Sequence, residues 1–473
     1  MGKGSLFDKV IKIMTHAKDR TPANLDKFDI VVAGTNLGAV LTRNITHFTH
    51  GHNTMMAITQ DGETPLHSLR FAFEHTLISP LNYFQKTAAL LCSSVATSQR
   101  MPLEKIDPVK STVTIKGGRT FEYKNLVLAT GLNPDWDAVK GLYEAFHDPA
   151  APVFTNYDSA TAPNKYKEFV PMSDNGDIYF YIPPFPFAGE IESMNLLVAL
   201  DTWALHEKIG LISPLRKVHI INANDRFASK DPLLDTFIRE RLSKHDKVEV
   251  QFKTKLLEVD SKGKKLVIEG ASGAKTVPFN RLYAHVPAKA HGFFEGSDLT
   301  APGALELPVN HKTLQHVKYG NIFGVGDICD LPIQKSFFAG LYQNHVVRHN
   351  ILEQLYGQPA NAEYKGETTF PVWTSINGAV KYSSDYEKGG KFLFDEKLEG
   401  LQYSFLFAKK LYKSTSKVMA GKVAGPPNWK LGYQKFKSNV TKEMKAAHHA
   451  EHDHDHKDHK DKKHAEQPAH SAN

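Results

Sequence analysis

Asp29–Ala33 is a short apolar run of the kind that forms a buried strand. It passes through a glycine-containing turn into Asn36–Phe48, which is spaced like a helix, and then into a second apolar strand at Thr54–Thr59. Strand, turn, helix and strand in about thirty residues predict the βαβ opening of a dinucleotide-binding domain, because neighbouring parallel strands need a crossover helix between them. The turn is where such a domain holds pyrophosphate, usually with the glycines of G-x-G-x-x-G at a helix N-terminus. Here the six residues are Ala33-Gly34-Thr35-Asn36-Leu37-Gly38. Only Gly38 falls on a motif glycine, and Gly34 lies between motif positions. The Cβ atoms of Ala33 and Thr35 crowd a turn whose backbone must approach phosphate. An acidic residue is expected to grip ribose after the second strand, but Thr59 and Gln60 stand there. Gln60 can hydrogen-bond a hydroxyl only as a neutral, weaker partner.

Further along, Thr112–Ile115 and Thr120–Tyr123 flank Gly117-Gly118 as a hairpin, followed by Leu126-Val127-Leu128-Ala129-Thr130-Gly131. A second α/β unit is expected from strand Ile178–Ile182 through helix Ile191–Ile209 to strand Lys217–Asn222. Strands at Lys247–Phe252 and Lys265–Glu269 come next, and the chain returns through Gly320-Asn321-Ile322-Phe323-Gly324-Val325-Gly326-Asp327. This order predicts two Rossmann-like domains with the second inserted into the first. The expected boundaries are 28–165 with 296–365 for the first domain and 166–295 for the second. They are flanked by an N-terminal helix (1–27), a C-terminal region (366–440) and a tail (441–473).

At 473 residues with 41% hydrophobic and 10% aromatic content, the chain has ample material for two or three cores. Its two cysteines, Cys92 and Cys329, are too few for a disulfide framework and suit a reducing compartment. No apolar stretch approaches the roughly 20 residues that span a bilayer. Met1–Arg20 places Leu6, Val10, Ile13 and Ala17 on one helical face among lysines, as in a mitochondrial targeting helix. Asp8 and Asp19 argue instead for an ordinary surface helix. Ser5 is one place short of the spacing that myristoylation at Gly2 requires.

The run Thr313–Asp327, continuing to Leu331-Pro332 and Lys335, resembles the mitochondrial sulfide:quinone oxidoreductases. The resemblance covers roughly Asp29 to Tyr433, with weaker support from Asn156, Lys217–Asn224, Arg281–Pro287 and Gly425-Pro426-Pro427. It implies an α/β fold with two dinucleotide-binding domains of the FAD/NAD(P)-linked disulfide-reductase type. It also implies C-terminal helices on the inner mitochondrial membrane, FAD as cofactor and ubiquinone as electron acceptor. Leu128-Ala129-Thr130-Gly131 then corresponds to the strand that closes over the flavin nucleotide, Asp327 of the Gly326-Asp327 pair to the carboxylate on the ribityl chain, and Lys335 to a residue near the flavin. Taken alone, Asp327 would be no more than a strand-end helix cap.

The pattern breaks at two places. Ile182-Pro183-Pro184-Phe185-Pro186-Phe187-Ala188-Gly189 reads like the family's Pro-x-Lys-Cys-Ala-Gly turn, and Thr368-Thr369-Phe370-Pro371-Val372 like its second cysteine, also followed by proline. In the family those two sulfurs accept sulfide and pass electrons to flavin. A phenyl ring has no lone pair for sulfur and forms no disulfide. No catalytic residue is therefore assigned. The nucleotide residues expected are Gly34, Gly38, Gln60, Thr130, Gly131, Gly326, Asp327 and Lys335. The retained elements argue for FAD and the eroded turn against it. Cys329 sits where a helix start could activate a thiol, or it is simply a small core residue; Cys92 reads as core. Nicotinamide is not expected in the second domain, since prolines remove N–H donors from its turn and Glu190 would repel phosphate.

Leu401–Val440 holds eight lysines, seven aromatic residues and no acid. Over Leu401–Met419 at about 100° per residue, the apolar residues and Lys409, Lys410, Lys413 and Lys417 take opposite sides, as on an interfacial helix. Packing of this helix on its own domain is the alternative. Aromatics opposite the lysines and the lack of a docking module argue against nucleic acid. Eight histidines lie between His448 and His470 in a polar tail that reads as solvated or as a loose metal buffer, without the fixed spacing of a defined metal site. Three functions follow: a redox-silent accessory protein of a respiratory assembly, a flavoenzyme reducing quinone with sulfide or another donor, and a metal buffer.

Overall fold

The computed structural model describes residues 26–35, 37–49, 55–58, 63–64, 86–87, 97–99, 101–155, 176–191, 196–197, 200, 208, 217–375 and 378–392. The N-terminal helix, Gln60, most of the 191–209 helix, Cys92, the Leu401–Val440 face and the histidine tail lie outside them. Strand β1 (Lys27–Ala33), helix α1 (Leu37–Thr49) and strand β2 (Met55–Ile58) form the expected βαβ unit, with β1 and β2 parallel and Val32 opposite Ala57. Strand β3 (Thr97–Gln99) extends it beyond β2. Strands β4 (Leu103–Asp107) and β5 (Thr112–Ile115) form a hairpin beside β6 (Thr120–Leu128). The expected break after Tyr123 is absent: β6 is one nine-residue strand. Its first half alternates exposed and buried beside β5, and its second half, Asn125–Leu128, is buried continuously. That switch marks where one strand passes from a half-solvated edge into a parallel core.

The second sheet is five-stranded and entirely parallel. In chain order it uses β7 (Val153–Phe154), β8 (Ile178–Ile182) and β9 (Val218–Asn222). After helix α2 (Pro232–Leu242) it takes β10 (Val248–Phe252). An antiparallel meander of β11 (Lys255–Asp260), β12 (Lys265–Gly270) and β13 (Gly273–Pro278) intervenes before β14 (Arg281–Ala284) re-enters between β7 and β8. Strands β8 and β9 are buried at every position, as two-sided strands must be. The expected boundary at 165 falls too late. Val139, Leu142, Ala145, Ala151 and Val153 share a core with Tyr181, Ile221 and Leu282, because β7 already belongs to this sheet.

The chain returns through β15 (Leu307–Pro308) and β16 (Ile322–Gly324), which pairs with the buried half of β6. Strand β17 (Cys329–Asp330) pairs with β15. Helix α3 (Phe337–Leu355) follows, capped by Ser336, whose hydroxyl accepts from Ala339 N at 2.9 Å. The first third of the expected C-terminal membrane region is instead an antiparallel sheet of β18 (Thr368–Ser375), β19 (Gly378–Asp385) and β20 (Gly389–Phe392). Ser336 Oγ lies 2.8 Å from Thr368 Oγ1, which ties this sheet to α3. Tyr382 donates to Asp231 at 2.5 Å, and Asp231 is the N-cap of α2. Among the described residues no helix is long and apolar enough to cross a membrane.

Candidate functional site

Three turns converge at the carboxyl ends of β1, β6 and β16, the usual ligand crevice of an open parallel sheet. Gly34 leaves β1 with φ of 138°, donating its N–H to Ile58 O at 2.9 Å. A Cβ there would lie 2.1 Å from Ala129 O, so only glycine fits against the β6 turn. Gly38 plays the packing part of the third motif glycine: a Cβ would stand 3.3 Å from Val32 Cγ1. Leu37, the first residue of α1, is buried against the other two segments. Its Cδ1 would be 2.7 Å from a Cβ on Gly326 and 2.1 Å from one on Gly340 of α3. Asn344 donates to Leu37 O at 3.0 Å, and Gln343 accepts from Gly326 N at 2.7 Å. Both amides are buried on α3 and fix the helix head and the Gly326 turn to each other.

Gly131, at φ of 68°, turns the chain after Thr130 and has open space beside its Cα. Its carbonyl accepts from His291 Nε2 at 2.8 Å, and Thr130 Oγ1 lies 3.5 Å from the same nitrogen. Burial lowers the His291 pKa, keeping the ring neutral. Asp327 sits half-buried in the turn after β16, and desolvation raises its pKa against the opposing pull of Lys335. Its carboxylate has no hydrogen-bond partner among the described residues. Lys335 is buried, and its ammonium is committed elsewhere. It donates to the carbonyls of Asp327 at 2.8 Å and Cys329 at 2.7 Å, and pairs with Glu306 Oε1 at 2.6 Å. Such a clamp shapes the loop. Asp327, Cys329 and Lys335, with Ser336 and Gln343, line a cavity of about 10 Å³, room for about one water. Cys329 does not start a helix: it lies in β17, fully buried, and burial pushes its thiol up to about 12. It is a core residue.

Phe187 is 0% exposed. It stacks on Phe185 at 5.7 Å and 7° and faces His285 at 5.3 Å. Asn224 closes this turn by accepting from Phe185 N at 3.1 Å and donating to Pro183 O at 2.8 Å, so one N–H that a phosphate would seek is already used. Glu190, also buried, accepts from Ser229 N at 2.8 Å and from Gln334 Nε2 at 2.6 Å, joining the second domain's turn to the loop beside Lys335. Desolvation raises its pKa. Phe370, on β18, is 2% exposed and lies 4.9 Å from the Tyr382 ring. Both positions are thus closed aromatic packing. The Leu37 contact and the Asn224 and Glu190 anchors had no signal in the sequence, since each depends on partners more than thirty residues away.

The site tests favourably for the cofactor this fold is built around. A half-buried carboxylate without a donor fits a polyhydroxyl chain such as the ribityl of FAD, whose hydroxyls donate to it. Of the residues expected to hold that nucleotide, Gly34, Gly38, Thr130, Gly131, Gly326 and Asp327 lie in or beside these converging turns. Bound flavin would supply two-electron chemistry at this crevice. Among the described residues no group of side chains is placed to bind a metal.

The sheets and their convergent turns define the class of FAD/NAD(P)-linked oxidoreductase folds. No family model matches the sequence. The mitochondrial sulfide:quinone oxidoreductase of Dictyostelium discoideum is 28% identical over 307 residues, 64% of this chain and 66% of that protein, so the chain spans just under two thirds of its length. The chain's similarity to several mitochondrial sulfide:quinone oxidoreductases supports membership of that family. Among solved structures, the sulfide:quinone oxidoreductase of the hyperthermophilic bacterium Aquifex aeolicus is 16% identical. It aligns over 83% of this chain and 91% of its own with a TM-score of 0.65, a likeness of fold. A chain in the cryo-EM structure of the Tetrahymena thermophila mitochondrial ATP synthase is 32% identical. It covers 86% of this chain and 99% of its own with a TM-score of 0.78.

Proposed function

We propose that this chain is a sulfide-silent member of its family, serving as an accessory structural subunit of a mitochondrial ATP synthase and lying peripherally on the inner membrane through Leu401–Val440. The observation that carries the reading is the pair Phe187 and Phe370, each buried and packed on aromatic neighbours at a family cysteine position. Sulfide needs a thiolate or disulfide partner and space to approach it, and these rings supply neither. The likeness to a chain of the Tetrahymena thermophila ATP synthase, across nearly all of that chain, supports the choice of assembly.

FAD is the cofactor assigned to the site, held by the six residues named above together with Gln60. In this reading it stabilises the fold and turns over no sulfide. The second reading is a flavoenzyme that reduces ubiquinone with another donor. The free carboxylate of Asp327 favours it, because that group retains its place for a flavin. Native separation of the protein's own mitochondrial membranes, followed by identification of the chain in each band, tests the first reading. Co-migration with ATP synthase is expected; the chain running alone, with flavin-dependent quinone reduction, would establish the second.

A further inference from the structure

The loop that follows β14 runs alongside the chain that leaves β6. Ala288 stands opposite Pro134 and Lys289 opposite Asn133 as a two-residue antiparallel ribbon. Asp135 N donates to Pro287 O at 2.7 Å, and Asn133 Nδ2 donates to Ala290 O at 3.3 Å. On the exposed side, Lys289 pairs with Asp135 at 3.2 Å and with Asp137 at 3.3 Å. At the end nearest Gly131 stands His291. It is the N-cap of the single turn Gly292–Phe294, yet its side chain makes no capping bond there. The imidazole lies flat on Phe293 at 4.5 Å and 18°, with Phe294 edge-on at 5.8 Å and 87°. Held in that way, it reaches the Thr130-Gly131 turn instead.

The Gly131 carbonyl can only accept, so His291 Nε2, 2.8 Å away, carries the proton that joins them. Thr130 Oγ1 lies 3.5 Å from the same nitrogen and has no other partner among the described residues. Because the nitrogen already holds a hydrogen, this hydroxyl cannot donate to it and keeps its own proton available. Gly131 sits at φ of 68° with open space beside its Cα, so no side chain packs against that position. A glycine without such packing is free to take either sign of φ, and the bond to its carbonyl is what limits it here. The group that sets this turn comes from 160 residues further along the chain.

We propose that His291 is a positioning residue for the flavin nucleotide. By holding the Gly131 carbonyl it fixes the Thr130-Gly131 turn in the form that receives FAD, and it leaves the Thr130 hydroxyl as a donor to the cofactor. The inference rests on the assignment of FAD to this crevice. A turn ordered before the ligand arrives binds more tightly than one that must be ordered by it, so the role is read in affinity.

The test is the FAD affinity of the full-length chain, stripped of flavin and titrated with FAD while flavin fluorescence is followed. Thermal melting of each flavin-free protein reports its fold. His291→Phe keeps a ring on Phe293 and removes the donor; it should bind FAD about three- to tenfold more weakly, the range of one net hydrogen bond. His291→Gln, whose amide nitrogen donates at similar reach, should return to within about twofold of wild type. Lys289→Met cuts the exposed pairs of the same ribbon and should bind FAD like wild type. Phe293→Leu loosens the imidazole without removing it, should weaken binding by a smaller factor, and carries the test if His291→Phe does not fold. Weakened binding by His291→Phe with recovery in His291→Gln supports the proposal. Unchanged affinity in His291→Phe, or in Phe293→Leu where the former does not fold, overturns it and leaves the cofactor assignment intact. An equal loss in His291→Gln or in Lys289→Met would mean that ring packing or the ribbon as a whole sets the turn, and would overturn it too. Wild-type protein that binds no FAD defeats the cofactor assignment and this inference with it.

Discussion

Leu37 and Gly340 meet as knob and hole: the isobutyl group at the head of α1 occupies the space that a side chain on α3 would need, with Leu37 Cδ1 2.1 Å from a Cβ built on Gly340. The same group touches Gly326, so one apolar contact sets the spacing of the three segments at the nucleotide end. Gly340→Ala is expected to destabilise the protein by about 1–3 kcal/mol through overpacking. Leu37→Ala alone should cost about 2–5 kcal/mol through the cavity it leaves. Combined, the two should cost less than their sum, because each relieves the other. Denaturant titration of the four proteins measures the coupling, and strict additivity would mean the contact is not made.

Phe187→Cys and Phe370→Cys restore sulfur at both family positions but remove buried rings. Each should cost about 3 kcal/mol in stability, near the lower end for loss of a buried aromatic side chain. The double variant should still reduce no quinone with sulfide, because Phe185, His285 and Tyr382 continue to close both positions around the new thiols. Sulfide-dependent quinone reduction by the double variant would show that the missing sulfurs alone silence the chain.

His285 carries a pH signature. Burial beside Phe187 and Tyr283 holds its pKa down to about 3 against an ordinary 6.5. Between those values the unfolded chain binds a proton that the folded chain does not. Its contribution to stability is therefore present above pH 6.5 and lost as pH falls toward 3. At pH 4.5 the loss amounts to about 2–3 kcal/mol. His285→Phe should flatten this part of the stability profile in denaturant titrations at pH 4.5 and 7.5; an unchanged acid limb would mean that the imidazole is hydrated.

Lys335 should act through the loop and not through an electron-transfer step. Lys335→Met leaves Glu306 and two carbonyls without their cation and should cost about 3–5 kcal/mol. Lys335→Met with Glu306→Leu should recover much of that loss, since removing both members of the pair is tolerated better than removing one. Melting curves of the two variants decide it.

The βαβ opening was legible because Ile30, Val31 and Val32 form a continuous apolar run ahead of Gly34, and the return strand because Ile322–Gly324 leads into Gly326-Asp327. The meander was only half legible. β12 shows in Leu266, Val267 and Ile268, but β13 is exposed at five of its six positions and has no apolar alternation to read. The β18–β20 sheet was overlooked because its burial comes from partners such as Asp231 and Ser336, distant in sequence. For the same reason the pairing of Lys335 with Glu306 and its bonds to the carbonyls of Asp327 and Cys329 had no signal in the sequence.

Ubiquinone reduction by purified full-length protein supplied with FAD, followed with and without sulfide, tests the central claim most directly. With Phe187 and Phe370 filling both sulfur positions, the two traces should coincide. A sulfide-dependent rate above the protein-free blank would contradict the account.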